Sequence, residues 1–314
     1  MKKTRMLTEG ALMLAVFTIL LLIFNYVPFL SLVAVLILLT PFIIFSAKYS
    51  LKYSIVLLFG SIIISFLVGT FLLIPVAIAY GTTGIVIGYC IQRKKSKLTI
   101  YIAASLVFLL NTIVQYIVSI AFFKIDVLKD SIQFVRESME KSMKIMDTFE
   151  KGYSDQMMDQ FNMLVNSLTT LLPSLLLITS FLVVWILLSI NLPIAKRFQI
   201  EVPKWGSFRD LQIPKSVLWY YLITVVLTII LKPVQGTFEN TALSNLNFIF
   251  QLLILLQGFS FLYFFSHEKK WPKAIPILLI IFSFLLLPLQ YIIRILGIMD
   301  LGFNLRQMIN RKSS

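Results

Sequence analysis

The chain has 314 residues, of which 59% are hydrophobic and 13% charged, with a net charge of +14 and a mean hydropathy of +0.91. A water-soluble domain of this size needs more charge to cover its surface. The apolar residues fall in continuous runs near the roughly 20 residues that a helix needs to cross about 30 Å of hydrocarbon, not in the alternating strands of a barrel. The composition therefore indicates an all-α polytopic transmembrane helix bundle. The basic residues sit in short connections between apolar runs, as lipid topology requires, so nucleic acid is not the expected partner.

The first apolar run, about Glu9 to Tyr26, follows Lys2, Lys3 and Arg5 and ends at Pro28. It is longer than a signal core and no small-x-small cleavage site follows, so an uncleaved first span is expected. A second run, Phe29 to Ala47, contains Pro41 as an expected kink. A third extends from Tyr53 to Phe71 and a fourth from Leu72 to Ile91, with Pro75 in its first turn. After the basic connection Arg93–Lys97 a fifth run covers Leu98 to Phe123.

Apolar density then falls between Lys124 and Asn166. Leu128, Ile132, Val135, Met139, Met143, Met146 and Phe149 still recur at helical spacing, which predicts an amphipathic helix and not a span. Gly152-Tyr153-Ser154 predicts a break, with Ser154 or Asp155 capping a second helix that continues into the sixth span, Leu168 to Ile190, past Pro173. A connection from Ala195 to Lys215 follows, then a seventh span, Ser216 to Leu231, closed by Pro233. A polar loop is expected over Gln235–Asn245, and an eighth span over Leu246–Phe265. The last apolar run, Ala274 to Ile293, is broken by Pro288 and precedes an amphipathic tail, Arg294 to Ser314. Eight to nine spans result.

Charge sets the expected orientation. With the N-terminus cytoplasmic, the basic connections at Lys48/Lys52, Arg93–Lys97, Lys196–Lys215 and Lys269–Lys273 all fall inside. The Lys124–Asn166 insertion carries eight acids against six bases and falls outside, leaving +16 on the rest of the chain. Three regions follow: a six-span membrane domain over 1–194 with the extracytoplasmic insertion 124–166, a cytoplasmic loop over 195–215, and a C-terminal membrane region of two to three spans over 216–314.

Signatures of catalysis are absent. There is no phosphate-binding glycine loop, no H-E-x-x-H and no dinucleotide fingerprint. The only histidine, His267, borders a basic connection, and the only cysteine, Cys90, forms no intrachain disulfide or thiolate cluster. No carboxylate is expected inside a span away from its ends, which argues against acid–base chemistry or proton pumping. No enzymatic activity, cofactor or metal is expected. The polar groups within spans are amides and hydroxyls. Asn111 and Gln115 lie one turn apart and share a face; they, with Tyr80 and Tyr116, are the candidate ligand-binding residues, although amides equally bond helix to helix. Small residues at close-packing spacing occur at Ala11/Ala15, Ser61/Ser65/Gly69 and Gly81/Gly84/Gly88.

Six spans with both ends inside, a proline-marked second span, small-residue-rich third and fourth spans and the Ala11-x-x-x-Ala15 pair make residues 1–194 similar to the substrate-binding S-component of energy-coupling-factor vitamin transporters. That resemblance implies Ala11 and Ala15 as docking positions for a coupling membrane protein bearing the ATPase. The whole chain resembles more closely the YybS family of uncharacterised bacterial membrane proteins. The segments Thr8–Ala15, Phe208-Arg209-Asp210-Leu211-Gln212-Ile213-Pro214 and Gly297-Ile298-Met299-Asp300-Leu301-Gly302-Phe303-Asn304-Leu305-Arg306 carry it. It implies a multi-pass protein of the bacterial cell membrane.

Two functions are expected from this. One is transport-related solute binding without an ATPase of its own, in which Met139, Met143, Met146, Met157, Met158 and Met163 would suit an adaptable apolar lid, although a plain core-facing stripe explains the same spacing more readily. The alternative is a non-transporting membrane scaffold or regulator, in which Arg209, Asp300 and Arg306 mark docking surfaces for a cytoplasmic partner.

Overall fold

The computed structural model describes residues 2–69, 71–146, 154–204 and 206–313. It is 86% helix, and seven of its helical segments are long and apolar enough to cross a membrane, beside two shorter apolar helices, Ser216–Leu231 and Ala274–Leu285. Two compact units divide it: residues 1–155 with 176–205, and residues 156–175 with 206–314. Residues 156–175, the end of the insertion and the start of the sixth span, group with the C-terminal unit.

The first unit contains α1 (Lys2–Tyr26), α2 (Pro28–Ile37), α3 (Thr40–Lys48), α4 (Leu51–Gly69), α5 (Ile74–Gln92), α6 (Lys97–Phe123) and α7 (Val127–Met146), and the greater part of α9 (Leu172–Arg197). The kink expected at Pro41 is a full break. Pro41 has no N–H to bond the Ile37 carbonyl, so the helical bonding lapses at Leu38-Leu39, which keep right-handed helical angles, and resumes with Pro41 in the first turn of α3. Asn191 of α9 fills the gap. Its Nδ2 donates to the Leu36 carbonyl at 2.8 Å, and Thr40 Oγ1 donates to its Oδ1 at 2.6 Å. Pro75 opens α5 as expected, after a short 3-10 turn at Phe71–Leu73.

Around this interrupted segment the core forms from Phe17, Leu21, Leu39, Phe42, Ile43, Ile87, Ile100 and Leu188. The Phe17 and Phe42 rings meet edge-on at 5.2 Å. Small residues let α5 lie directly on α3: a Cβ on Gly88 would stand 2.6 Å from the Ile43 carbonyl oxygen. Outward, Phe29, Phe66, Leu67 and Leu110 are exposed, an apolar surface that lipid covers. On α7 no described side chain is fully buried, and Leu128, Ile132, Arg136 and Met139 form its half-buried stripe. Gly152, Tyr153 and the side chains of Met143, Met146 and Met157 lie outside the described residues, as does Phe149.

The second unit contains α8 (Ser154–Thr170), α10 (Ser216–Leu231), α11 (Phe238–Glu268), α12 (Ala274–Leu285), α13 (Leu287–Phe303) and α14 (Leu305–Ser313), with the first residues of α9. Three expectations are corrected here. The insertion's second helix does not run on into the sixth span; it stops at Thr170, and α9 begins again with Pro173 in its first turn. Asn245 secures the joint, donating to the Thr170 carbonyl at 2.7 Å and accepting from Ser174 N–H at 2.8 Å.

Nor is Gln235–Asn245 a loop. Thr237 caps the next helix by accepting from Asn240 N–H, so α11 starts at Phe238 and is 31 residues long. The last apolar segment, finally, does not give way to a tail at Arg294. After the break at Leu286-Pro288, α13 continues to Phe303 and packs on α11 through two glycines. A Cβ on Gly258 would lie 2.2 Å from the Ile293 carbonyl oxygen, and one on Gly297 would lie 2.2 Å from that of Ile254.

Candidate functional site

The candidate ligand residues of the first unit line the α5–α6 contact. Asn111 Nδ2 donates to Thr82 Oγ1 at 3.0 Å and to the Val107 carbonyl at 2.8 Å. Gln115 Nε2 donates to the Pro75 carbonyl at 2.9 Å, in the first turn of α5, where a carbonyl oxygen has a second lone pair to offer. Tyr80 stands edge-on to Phe108 at 6.1 Å. Tyr116 is apart from these, its hydroxyl donating to Asp126 Oδ1 at 3.1 Å. The two amides therefore stitch α6 to α5. Ala11 and Ala15 are exposed on the side of α1 away from buried Met13 and Phe17.

In the second unit the structure gathers Arg209, Asp300 and Arg306 into one cluster. The sequence places Asp300 in an amphipathic tail; α13 carries it instead against α11, where it is 5% exposed, as is Arg306. Between them Asn304 adopts a left-handed backbone, which ends α13 and turns α14 back. Arg306 Nε then reaches Asp300 Oδ2 at 2.9 Å. Its Nη2 donates to Ser260 Oγ at 3.0 Å, its Nη1 donates to the Arg209 carbonyl, and its guanidinium lies 5.4 Å from the centre of the Phe264 ring.

Two α11 side chains complete the cluster. Gln257 Nε2 donates to Asp300 Oδ2 at 2.6 Å, while its Oε1 accepts from Ile213 N–H at 2.9 Å. Ser260 Oγ, which accepts from Arg306, has the Leu211 carbonyl at 2.7 Å and the Phe208 carbonyl at 2.9 Å for its single proton. The backbone of 208–213 is thus held at four residues by side chains of α11 and α14. Arg209's own side chain points elsewhere, 3.6 Å from Asp210.

The sequence singled out Arg209, Asp300 and Arg306, and Gln257 falls within the expected eighth span. Ser260 was missed, although its i, i+3 spacing from Gln257 defines a polar helix face. A polar cavity of about 60 Å³ adjoins the cluster, lined by Gln212, Lys215, Gln257, Asp300, Asn304 and Gln307 among others. That volume admits water and not an organic solute. Among the described residues, no group of His, Cys, Asp and Glu has a metal-holding arrangement.

Comparison with known proteins gives the lineage. Residues 15–301 match the family described as "Predicted membrane protein (DUF2232)". The chain is 30% identical over 314 residues to "Uncharacterized protein YybS" of Bacillus subtilis (strain 168), covering 98% of this chain and 100% of that one. No solved structure matches. Apolar helices of membrane-crossing length, a surface of exposed aliphatic and aromatic side chains, and a family match over nearly the whole length agree: the chain is an integral membrane protein belonging to the DUF2232 family.

Proposed function

We propose that this protein is a non-transporting membrane scaffold or regulator that holds its 206–215 loop as a fixed docking surface for a cytoplasmic partner. The observation that carries this is the buried Asp300–Arg306 pair, from which Arg306 donates to the Arg209 carbonyl of that loop while its α11 partners Ser260 and Gln257 bond the loop backbone as well. Two charges removed from solvent add little net stability, and their best-attested use is to fix one arrangement among several. Phe208 and Asp210 remain exposed on the secured segment, available to a partner. The cationic connections support a cytoplasmic N-terminus and the loop on the same side, in a bacterial cell membrane. A photo-crosslinking residue at Asp210 in native membranes tests the proposal. The wild type should give one discrete protein adduct, and Asp300→Asn should abolish it at equal expression. If position 210 crosslinks only to lipid, or gives the same adduct in both, the proposal fails.

A second reading, transport-related solute binding, is favoured by the exposed Ala11 and Ala15, which leave one side of α1 open to a membrane partner. Here residues 1–194 would act as an S-component-like domain energised by a separate ATPase complex. Native-membrane purification with and without Ala11→Leu/Ala15→Leu decides it. A co-purifying ATPase complex lost on substitution supports transport coupling; its absence from the wild type removes it.

A further inference from the structure

A cleft of about 730 Å³ opens where α11 ends and α12 begins, within the second unit. One wall is aromatic and apolar: Phe208 meets Tyr263 edge-on at 5.4 Å, Trp271 also lines it, and Pro276 and Ile277 form the α12 side. Its rim is cationic, with Arg209, Lys270 and Lys273 lining it alongside His267 and the single carboxylate Glu268. Glu268 faces His267 at 3.8 Å, and Arg209 is shared with Asp210, which lies outside the lining. Lys270 and Lys273 make no ion pair among the described residues. The left-handed backbone of Lys270 (φ 54°) ends α11 at this rim.

A second observation points to a ligand. Ser266 also lines the cleft, is 3% exposed, and its Oγ has no hydrogen-bond partner among the described residues. Most helical hydroxyls here return their proton to a carbonyl three or four residues back, as Ser174, Ser180 and Ser189 do. An unpaired buried hydroxyl is destabilising unless something supplies an acceptor. Of the buried hydroxyls without a partner among the described residues, Thr83, Ser105 and Ser266, Ser266 is the one that lines this cleft, where the neighbouring cations favour an anionic oxygen as its acceptor.

We infer that this cleft binds a membrane phospholipid with a net negative headgroup. Lys270, Lys273 and Arg209 neutralise the phosphate and Ser266 donates to one of its oxygens. Tyr263, Trp271 and Ile277 take the glycerol and upper acyl segment. A free phosphate would use the cations but leave the apolar wall wet. The junction of an apolar helix with a Trp- and Lys-bearing turn is also where a bilayer presents its headgroups.

The test uses the full chain in a neutral detergent, titrated with phosphatidylglycerol or phosphatidylcholine and read by native mass spectrometry. One phosphatidylglycerol should be retained in preference to phosphatidylcholine. Lys270→Gln/Lys273→Gln should weaken retention about thirtyfold, and Ser266→Ala about fivefold. Ser266→Ala removes only an unpaired hydroxyl, so it reports even if the lysine variant folds poorly. Equal retention of the two lipids would overturn the inference, as would retention unchanged in Ser266→Ala. Full displacement by millimolar inorganic phosphate would reassign the site to a soluble anion and overturn it too.

Discussion

Removing Arg306 is the most informative single perturbation of the C-terminal unit. Arg306→Ala deletes the bonds to Asp300, Ser260 and the Arg209 carbonyl together. It also leaves the Asp300 carboxylate, 5% exposed, with Gln257 Nε2 as its remaining donor among the described residues. Breaking a buried pair from one side costs about 3–5 kcal/mol, because a charge is stranded. Asp300→Leu strands the guanidinium instead and carries a similar cost. Replacing both, Asp300→Leu/Arg306→Met, strands neither and should be close to neutral. The double variant is thus expected to be several kcal/mol more stable than the sum of the single effects predicts, a coupling measurable by reversible unfolding in mixed micelles. Limited proteolysis reads the structural consequence. Cleavage within 206–215 should rise in both single variants and in the double variant, since the hydrogen bonds to the Arg209 carbonyl and Ser260 are lost in all three that lack Arg306 or misplace it. Additivity within about 0.5 kcal/mol would refute the buried-pair reasoning, and unchanged cleavage would refute the claim that the pair secures the loop.

Three further predictions follow from packing and charge. Gly297→Ala places a Cβ 2.2 Å from the Ile254 carbonyl oxygen, so α13 must move away from α11. A large fall in folded monomer by size-exclusion chromatography is expected, and wild-type yield would contradict the close crossing. Asn191→Leu strips the Leu36 carbonyl of its donor at the α2–α3 break and should destabilise by roughly 1–3 kcal/mol; Asn191→Gln at full stability would show that the bond geometry is immaterial. Single cysteines at Lys94 and Glu140, in a Cys90→Ser background, should react oppositely with an impermeant maleimide in intact cells, Glu140→Cys labelled and Lys94→Cys protected. Labelling of both would overturn the assigned orientation.

Proline made several boundaries legible from the sequence. Pro41, Pro75 and Pro288 each deny a carbonyl its helical donor, and each sits in the first turn of a helix. The glycine triplet at 81, 84 and 88 was equally legible as a close-packing surface, because only backbone approach explains such spacing within an apolar helix. What the sequence concealed was polar chemistry inside helices. Asn240, Thr241, Ser244 and Asn245 look like a loop by composition, yet Thr237 caps them and Asn245 spends its amide on the α8–α9 joint. The capping signal was present, but local polarity outweighed it.

The Asp300–Arg306 cluster shows why such pairs resist one-dimensional inspection. Six residues apart, the two side chains would lie on different faces of a continuous helix, since helical neighbours are three or four apart. They meet because Asn304 reverses the chain between them, and their common partners on α11 are more than forty residues upstream. The sequence offered these residues as candidate docking positions. It took them for surface because a charge in lipid-rich surroundings is expensive unless every bond is met. Here every arm of the guanidinium finds an acceptor: a carboxylate, a hydroxyl and a loop carbonyl. The same requirement applied to Ser266, a buried donor with no acceptor among the described residues, is what separates this structural cluster from the proposed lipid cleft further along α11.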